Sequence, residues 1–466
     1  MGTARRKVGN AARENTHIKR MSLLTARPGA RDTDPSSRWF KRVTAAAVLG
    51  YVMFNRAFAW VHIPGVPIFV GEVVLFLAVI LLLRHQRALI VLLRNSSAMR
   101  TAGLLFLWGA LRLAFDLPIW GLAALRDGAQ TNYILIGLAM AVIVVRQHAI
   151  TESLTQLRYW VPATVVVWVP IAIFLNRRFV LTAPFVPGSE TSIFSYKPGD
   201  YALFAAAAIA YVWMMGDSYS SRYRSTITFI GVLGLLVAGS QNRGGLLGAL
   251  GALAIAALFM RRSRRRRFLS GMALAAGSMI MVLALTNLVI PLGSRAFSVG
   301  QLADNAISIT GRSGEGGFQG TASWRLEYWR VVVTDVMTGD DWLVGIGFGP
   351  SLADDYGYQT EPTETTQPLR NAHNSHVTLI ARLGLVGMLL WLIFWFQLGL
   401  QLYEDVRRRS HPIVGWMMAI MCGIGIAAVF DPVLEGPQMA IPFWCAVGIA
   451  ASVASRQSIR RTHQAV

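Results

Sequence analysis

Long runs of hydrophobic residues, interrupted by short polar stretches, recur along this 466-residue chain. A helix needs roughly 20 apolar residues to cross the bilayer core, and only helices and closed barrels satisfy every backbone hydrogen bond within lipid. The runs are continuous and do not alternate in steps of two, which favours helices over a barrel. The pattern therefore predicts an all-α polytopic membrane protein with about twelve transmembrane helices.

The predicted spans are separated by loops of very unequal length. They lie near residues 43–58, 66–83, 101–117, 131–145, 159–175, 200–215, 226–241, 245–260, 268–291, 372–402, 413–430 and 440–455. This divides the chain into a disordered basic cytoplasmic tail (1–42), helices 1–9 (43–291), a large extracytoplasmic loop (292–371), helices 10–12 (372–455) and a cytoplasmic tail (456–466).

The large loop is predicted to contain a helix of its own over residues 321–337. Trp324, Tyr328 and Val331 have the spacing of one apolar helical face. Such a helix is expected to lie on the membrane surface. Glycine-rich segments flank it at 311–320 and 345–350, and they predict tight turns.

The composition and the charge pattern agree with a membrane protein. Of the residues, 54% are hydrophobic and only 15% are charged, and the mean hydropathy is +0.46, whereas soluble proteins carry roughly 25% charged residues. The net charge of +20 is concentrated in clusters between the spans, among them six arginines within 261–267. Positive loops stay on the cytoplasmic side, so these clusters predict membrane topology and exclude a nucleic-acid partner.

The same rule assigns the two faces of the membrane. Residues 1–42 hold eleven Lys and Arg against three acids, whereas residues 292–370 hold five arginines against ten acids. Both termini are therefore predicted to be cytoplasmic. The two cysteines, Cys422 and Cys445, fall inside apolar runs and are interpreted as small buried residues, neither disulfide-bonded nor metal-binding. No signal peptide is expected, because a polar stretch precedes the first apolar run.

The polar residues best suited to chemistry all fall on the predicted extracytoplasmic face. They are Arg56, Arg126, Asp127, Arg243, Arg325, His373, Asn374, His376, Asp431 and Glu435. An arginine at a helix end can simply anchor in the interface. Arginine is disfavoured on this side, however, so each one that remains there needs a partner or a function.

Arg243 is the clearest cation, since it lies between two apolar runs in the glycine-rich stretch 240–245. Glycine permits close backbone approach, and a guanidinium binds a diphosphate through paired, charge-assisted hydrogen bonds. Arg325 on the loop helix is expected to reach the same headgroup. Arg126 and Arg56 are weaker candidates for the same diphosphate.

The stretch around His373 is the most informative. His373 and His376 have the i, i+3 spacing of one helix face. No acid or cysteine stands beside them, so a metal site is not expected. A neutral histidine can instead accept a proton from a hydroxyl group. His373 is the predicted catalytic residue, although a purely structural histidine remains the alternative.

These motifs resemble the O-antigen ligase and polymerase superfamily of bacterial envelope glycan assembly. The resemblance begins with His373-Asn374, nine further residues and Gly384-x-x-Gly387. It extends to the Arg243-Gly244 turn, to Arg325, Trp329 and the glycines 345, 347 and 349, and to Asp431-Pro432, Glu435 and Phe443-Trp444. It covers the chain from about 40 to 455. Arg382 and Met388 depart from residues that many members carry.

The resemblance implies an inverting, metal-independent glycosyltransferase with a GT-C-like fold and no cofactor. The donor would be a glycan on undecaprenyl diphosphate, and the acceptor hydroxyl would belong to a glycan or to lipid A core. Arg243 and Arg325, with Arg126 and Arg56, would bind the diphosphate, and His373 would orient or deprotonate the acceptor. Asn374 and His376 would hold the acceptor, and Asp431 and Glu435 would support the site.

Two other classes of function remain open at this stage. A transporter or flippase of lipid-linked glycans needs ionisable groups near the middle of the membrane, whereas the candidates here lie at one face. A non-catalytic scaffold explains the topology but leaves the gathering of arginine and histidine without a reason. Ligase and polymerase are not distinguished by the sequence.

Overall fold

The computed structural model describes residues 34–146 except 64 and 67, and residues 159–292, 295–309, 318–359, 369–407 and 412–464. The described chain is mostly helical, as predicted. Residues 1–33 of the predicted N-terminal tail lie outside the described residues. The last eight residues of that predicted tail already belong to the first helix, and the last helix continues through most of the predicted C-terminal tail.

The helices of the first half run as follows. They are α1 (Pro35–Ala59), α2 (Val70–Arg84), α3 (Gln86–Asn95), α4 (Ser97–Trp120), α5 (Leu122–Asp127), α6 (Ala129–Asn132), α7 (Ile134–Arg146), α8 (Trp160–Phe179) and α9 (Pro198–Met214). A short 3₁₀ turn follows at Gly216–Ser218.

The second half contains longer helices and one hairpin. The elements are α10 (Ser221–Gln241), α11 (Arg243–Phe259), α12 (Arg262–Thr286), β1 (Ile290–Leu292), β2 (Arg295–Phe297), α13 (Val299–Ile309), α14 (Phe318–Thr338), α15 (Leu352–Asp355), α16 (Ser375–Arg407), α17 (Pro412–Phe430) and α18 (Pro437–Gln464). The antiparallel hairpin pairs Ile290 with Phe297 and Leu292 with Arg295.

Each of the twelve predicted spans coincides with a helix, but fewer qualify as spans by length and composition. Among the described residues, eight helices are long and apolar enough to cross a membrane: α4, α6 with α7, α8, α10, α12, α16, α17 and α18. The pair α2 and α3, bent by 90°, makes nine if it counts as one span, and α11 is a shorter apolar helix. The protein is a polytopic membrane protein, and the number twelve stays a prediction.

Two of the predicted spans extend a few residues beyond their helices, and the local sequence explains the longer of these extensions. The span 268–291 ends at Thr286, because Asn287 adopts the left-handed conformation that terminates helices (φ 48°). Pro291 then stands in the hairpin, where a helix could not continue. The span predicted from 372 begins instead at Ser375.

The helix predicted in the large loop is confirmed as α14, but its buried face differs from the prediction. Tyr328, Val332 and Val336 are fully buried, whereas Val331 is exposed. The buried face packs against Leu352, Ala372 and other residues near α15 and the start of α16. The helix therefore has a core of its own within the loop, in addition to any contact with the membrane.

Close packing through glycine brings three helix ends together. A Cβ atom at Gly245 of α11 would lie 2.2 Å from the Cα of Gly199 in α9, and one at Gly248 would lie 2.6 Å from the carbonyl oxygen of Gly423 in α17. Such contacts leave no room for a side chain. As a result, the N-terminal ends of α9 and α11 meet the C-terminal end of α17.

The loop segment 342–349 fills a break in α16. The helix is interrupted at Gly384 (φ 62°, ψ −163°). The amide of Leu385 donates to the carbonyl of Trp342 (2.9 Å), and the amide of Ile346 donates to the carbonyl of Ala381 (2.8 Å). Irregular backbone inside a membrane protein requires such internal partners, so the break and the loop form one unit.

Candidate active site

The predicted catalytic residue, His373, lies in a strained turn directly before α16. Its φ of 52° is left-handed, a conformation that costs a non-glycine residue on the order of 1–3 kcal/mol and persists only where the surroundings impose it. The side-chain oxygen of Asn374 caps α16 by accepting from the amides of His376 (2.9 Å) and Val377 (3.2 Å). The prediction that His373 and His376 share a helix face is therefore wrong.

Three neighbours impose the turn. The carboxylate of Glu435 accepts a hydrogen bond from the amide group of Asn371 (2.6 Å). The side-chain oxygen of Asn371 in turn accepts from the backbone amide of His373 (3.1 Å). From α14, the indole of Trp329 donates to the carbonyl of Ala372 (2.6 Å). The backbone that carries the imidazole is thus held from α14 and from the turn between α17 and α18.

The turn after α17 is the point where these elements meet. The Lys197 ammonium lies 2.5 Å from the Asp431 carboxylate. The Arg325 guanidinium donates to the carbonyl of Phe430 (3.1 Å), and the hydroxyl of Ser375 donates to the carbonyl of Asp431 (3.4 Å). Residues that are far apart in the sequence therefore converge on two consecutive residues, Phe430 and Asp431.

The electrostatic surroundings of His373 identify the members of the site. Burial lowers the pKa of His373 to about 4; Asp431 opposes this shift, and the positive charges of Arg325, Lys197 and Arg56 reinforce it. Its Nδ1 atom is enclosed and has no hydrogen-bond partner within the described part of the chain. We call His373, Asp431, Lys197, Arg325 and Arg56 the histidine cluster.

Asp431 is the acid of this cluster. Burial by itself would raise the pKa of Asp431, but the charge and the hydrogen bond of Lys197 outweigh burial and lower this pKa below its ordinary value. The carboxylate is therefore ionised at neutral pH. Burial likewise lowers the pKa of Arg325, against the opposing influence of Asp431.

Arg56 and Lys197 reach the cluster through a break in α1. Asn55 has non-helical angles (φ 45°, ψ −118°). Its side-chain oxygen accepts from the backbone amide of Lys197 (3.0 Å), and its side-chain nitrogen donates to Asp200 (3.1 Å). The break thus joins the end of α1, which carries Arg56, to the segment that precedes α9.

Arg243 is the first residue of α11 and is half-buried. The adjoining Gly244 packs on Phe430, since a Cβ atom there would lie 2.7 Å from the Cβ of Phe430. Arg243 therefore begins a helix beside the same turn that holds Asp431. This position agrees with the predicted gathering of Arg243 and Arg325.

Arg126 belongs to a second group, which we call the arginine cluster: Arg126, Asp127, Arg370 and Arg382. One Asp127 oxygen lies 3.0 Å from Arg382 and 3.3 Å from Arg370, and it also accepts from the amide of Gly349 (3.1 Å). Burial lowers the pKa of Arg126; Arg370 lowers it further, and Asp127 and Glu435 oppose the shift. The expected grouping of Arg126 with Arg243 and Arg325 is not observed.

Glu435 lies between the two clusters. Burial raises the pKa of Glu435 to about 7, against the opposing charges of Arg382 and Lys197. Glu435 holds the His373 turn through its hydrogen bond to Asn371, and its charge interacts with Arg382 of the arginine cluster. The supporting role predicted for Glu435 is therefore to position the backbone of His373.

His376 and Asn374 have structural partners in place of the predicted acceptor contacts. The indole of Trp391 donates to Nδ1 of His376 (3.0 Å), and Nε2 of His376 donates to the carbonyl of Gly425 in α17 (3.2 Å). Both ring nitrogens are therefore occupied, and His376 joins α16 to α17. The side-chain oxygen of Asn374 is occupied by the cap of α16.

Sequence reasoning missed Lys197. The chain has four lysines, and Lys197 is the one that lies beyond residue 41. A single lysine at the start of an apolar run, on the face where basic residues are rare, was the available signal. Arg370 and the partnership of Arg382 with Asp127 were also missed. In the described ranges, no group of three or more His, Cys, Asp or Glu side chains is arranged to hold a metal ion.

Comparison with known proteins supports the resemblance seen in the motifs. No curated protein matches the chain. The family model described as O-antigen ligase matches residues 226–392, a region that contains Arg243, Arg325, His373 and the glycine-rich segment near residue 345. The match confirms, over this part of the chain, the resemblance to the O-antigen ligase superfamily that the motifs indicated.

Proposed function

We propose that this protein is a membrane glycosyltransferase that moves a glycan from undecaprenyl diphosphate to an acceptor hydroxyl, as an O-antigen ligase or a related polysaccharide polymerase. The observation that carries the proposal is the histidine cluster. It combines one enclosed imidazole with several cations at the meeting point of α1, α9, α14 and α17, within and around the region that matches the family.

The cations suit the leaving group. When the bond between the anomeric carbon and the phosphate oxygen breaks, negative charge develops on the diphosphate. Cations held in advance stabilise this charge more in the transition state than in the ground state. Arg243 and Arg325 are the proposed diphosphate ligands, with Arg56 in addition. Arg126 is left out, because its neighbours belong to the arginine cluster.

His373 is the proposed base. The acceptor oxygen attacks the anomeric carbon from the face opposite the diphosphate, its proton passes to His373, and the diphosphate leaves with the bonding electron pair. This single displacement inverts the anomeric configuration and requires no metal. The lowered pKa keeps His373 neutral at pH 7, which is the state that can accept a proton.

The polyprenyl chain of the donor requires a surface in contact with lipid. Several spanning helices expose large apolar side chains, among them Phe115 of α4 and Leu274 and Leu285 of α12. Exposed apolar surface of this kind is stable in a bilayer. The donor can therefore keep its tail in the membrane while its diphosphate reaches the helix ends.

The sidedness of the proposal rests on the basic residues. Arg38 lies near the start of α1, at the opposite end from Arg56. The arginine-rich start of α12 also lies away from the histidine cluster, because Arg264 donates to the carbonyl of Met214 at the end of α9, whereas Lys197 precedes the start of α9. Positive residues favour the cytoplasmic side. We therefore propose an inner-membrane protein with cytoplasmic termini and an extracytoplasmic active site.

Cysteine labelling of the full-length chain tests the sidedness. In a background with Cys422 and Cys445 replaced by Ala, an impermeant thiol reagent added outside the cytoplasmic membrane should label Asp340→Cys in the large loop and spare Ser263→Cys in the basic cluster. The reverse pattern would contradict the assigned orientation.

Reconstitution tests the function itself. The purified protein, given a glycan on undecaprenyl diphosphate and an acceptor, should form glycosylated product with EDTA present and without nucleotide. Lipid A core and a growing glycan, offered separately, distinguish ligase from polymerase. Movement of the intact lipid-linked glycan across the bilayer without any product would identify a flippase instead.

A further inference from the structure

Contacts with neighbouring helices fix the backbone of Lys197. Its side chain is 8% exposed, and its backbone amide is bonded to Asn55 at the break in α1. Pro198 and Gly199 begin α9 directly afterwards, and Gly199 lies in close contact with Gly245 of α11. The packing of α1, α9 and α11 therefore fixes the point from which the lysine side chain extends toward Asp431.

Asp431 is paired with Lys197 and is near enough to His373 to influence its charge. Its carboxylate is 2.5 Å from the Lys197 ammonium, and its charge also raises the pKa of His373. The backbone carbonyl of Asp431 is bonded to Ser375, two residues after His373. The Asp431 carboxylate can therefore pair with either Lys197 or His373.

The histidine cluster holds more positive than negative charge, as an anionic donor requires. Lys197, Arg325 and Arg56 carry three positive charges and Asp431 carries one negative charge. Arg243 lies beside the same turn, and Asp200, bonded to Asn55, is a second acid near Lys197 and Arg56. A diphosphate that links a lipid to a glycan carries two negative charges. A lysine is a compact charge on a flexible stem, so it can turn from a carboxylate to a phosphate without movement of its backbone. Arg325 is different, because its guanidinium is bonded to the carbonyl of Phe430.

We propose that Lys197 is a further diphosphate-binding residue and that it exchanges Asp431 for the donor phosphate, leaving Asp431 free to stabilise the protonated imidazole of His373. This inference rests on the proposed function. According to this proposal, donor binding increases the basicity of His373. Without donor, the Asp431 carboxylate pairs with Lys197. With donor bound, the Asp431 carboxylate pairs with His373.

The exchange resolves a difficulty of the empty site. A histidine whose pKa is about 4 is a weak base, and an efficient general base has a pKa nearer the working pH. The groups that face His373 are Asp431 from the turn after α17, Arg325 from α14, Lys197 from before α9 and Arg56 from α1. Bound diphosphate adds two negative charges beside the cations, and a released Asp431 adds a third that is no longer shared with Lys197. Both changes raise the basicity of His373.

A purely structural ion pair is the competing explanation, and a double-mutant cycle separates the two. Removing one partner of a buried pair leaves an uncompensated charge, whereas removing both relieves it. A structural pair therefore predicts that Lys197→Met and Asp431→Asn are each harmful and that the double variant recovers. The exchange predicts that the double variant remains defective in both binding and transfer.

The experiment measures binding of undecaprenyl diphosphate and glycan transfer by the purified full-length protein. Lys197→Met should weaken binding about tenfold or more, the effect of one lost hydrogen bond to a charged group. Asp431→Asn should bind at least as tightly as the wild type but transfer about tenfold more slowly or worse, because the imidazolium loses its partner. Lys41→Met, at the opposite end of α1, is the matched control and should bind and transfer normally.

Recovery of both activities in the double variant, or normal binding by Lys197→Met, would overturn the inference. If Lys197→Met does not fold, Lys197→Gln replaces it with the same expectation, and Lys197→Arg should keep binding within about threefold because the charge is retained.

The pH profile is an independent readout. In the wild type, kcat should decline on acidification at a higher pH than kcat/KM does. Asp431→Asn should move the decline of kcat, its acid limb, to lower pH. Equal limbs in the wild type would also overturn the inference.

Failure of the inference is distinguishable from failure of the proposed function. If the wild type binds undecaprenyl diphosphate no better than undecaprenol, the diphosphate site itself is wrong. If the wild type binds it, and Arg325→Met loses affinity while Lys197→Met does not, only the role of Lys197 is wrong.

Discussion

The histidine cluster and the arginine cluster lie at the same end of the helices, and both enclose several cations with few acids. They differ in the imidazole. In the arginine cluster, Arg382 and Arg370 share Asp127 and donate to the carbonyls of Gly347 (3.0 Å) and Gly349 (2.7 Å). Both clusters enclose an arginine Nε without a partner among the described residues, but the histidine cluster also encloses an unpartnered ring nitrogen, Nδ1 of His373.

A group of buried arginines therefore does not by itself mark a binding site. The arginine cluster stabilises a glycine-rich loop against α5 and α16, where Gly347 and Gly349 adopt left-handed angles (φ 85° and 115°). The histidine cluster encloses an unpartnered imidazole nitrogen and places that imidazole on a strained backbone. Such an arrangement is typical of a site that completes its contacts with a substrate.

The largest expected effect is on catalysis by His373. His373→Ala should lower transfer on the order of 10²–10⁴-fold, the contribution of a general base, while the cations keep binding of undecaprenyl diphosphate nearly unchanged. Transfer and binding are measured on the same preparation. His376→Gln is the companion variant, since its predicted defect is in thermal stability. Normal transfer by His373→Ala would move the base elsewhere.

The arginine cluster should respond in stability. Arg382→Met leaves Asp127 in a buried position with one guanidinium fewer, and breaking a buried pair costs about 3–5 kcal/mol. Thermal unfolding in detergent should show the loss, and adding Asp127→Asn should restore part of it. Transfer per folded molecule should remain near that of the wild type. A variant that unfolds normally but has lost transfer would show that the arginine cluster takes part in the reaction.

Exchange of arginine for lysine tests whether the guanidinium group itself is required in each cluster. Arg243→Lys and Arg325→Lys keep the charge but lose the planar fork, so transfer should fall about tenfold or more with little change in unfolding temperature. Arg370→Lys is the matched variant in the arginine cluster and should change transfer by less than about threefold. Full transfer by both Arg243→Lys and Arg243→Ala would leave Arg243 as an interface anchor.

The smallest effect concerns Glu435, which touches both clusters. Its folded-state pKa is raised to about 7 from an ordinary value of 4.5, so its contribution to stability is complete below the ordinary value and is lost as the pH rises through 7. Glu435→Gln should therefore unfold at the same temperature as the wild type near pH 4 and at a higher temperature than the wild type near pH 8. A difference that does not depend on pH would contradict the buried carboxylic acid.

Much of this arrangement was predictable from the sequence. Charge asymmetry between loops was enough to assign Arg56, Arg243, Arg325, His373 and Asp431 to one face, because arginine follows the sidedness of the membrane. Motif spacing indicated the resemblance to the O-antigen ligase superfamily that the family model confirms over residues 226–392. The helix of the large loop followed from its apolar spacing, although the face it buries differed by one position.

Other features depended on contacts between distant residues. Nothing near Lys197 in the sequence indicates Asp431, which lies 234 positions away. The grouping of Arg126 with Asp127, Arg370 and Arg382 was also visible only in the folded structure, because the sequence is compatible with Arg126 in either cluster. The start of α16 was recoverable in part, because Asn374 is a preferred N-cap residue, but the hydrophobic run alone extended the helix over His373.

The measurement that tests this account most directly is an experimental structure of the protein with undecaprenyl diphosphate bound. We expect phosphate density among Arg243, Arg325, Lys197 and His373, with the Lys197–Asp431 contact lengthened and the Asp127–Arg382 pair unchanged. Phosphate density against Arg126, Arg370 and Arg382, with the Lys197–Asp431 contact intact, would contradict the account.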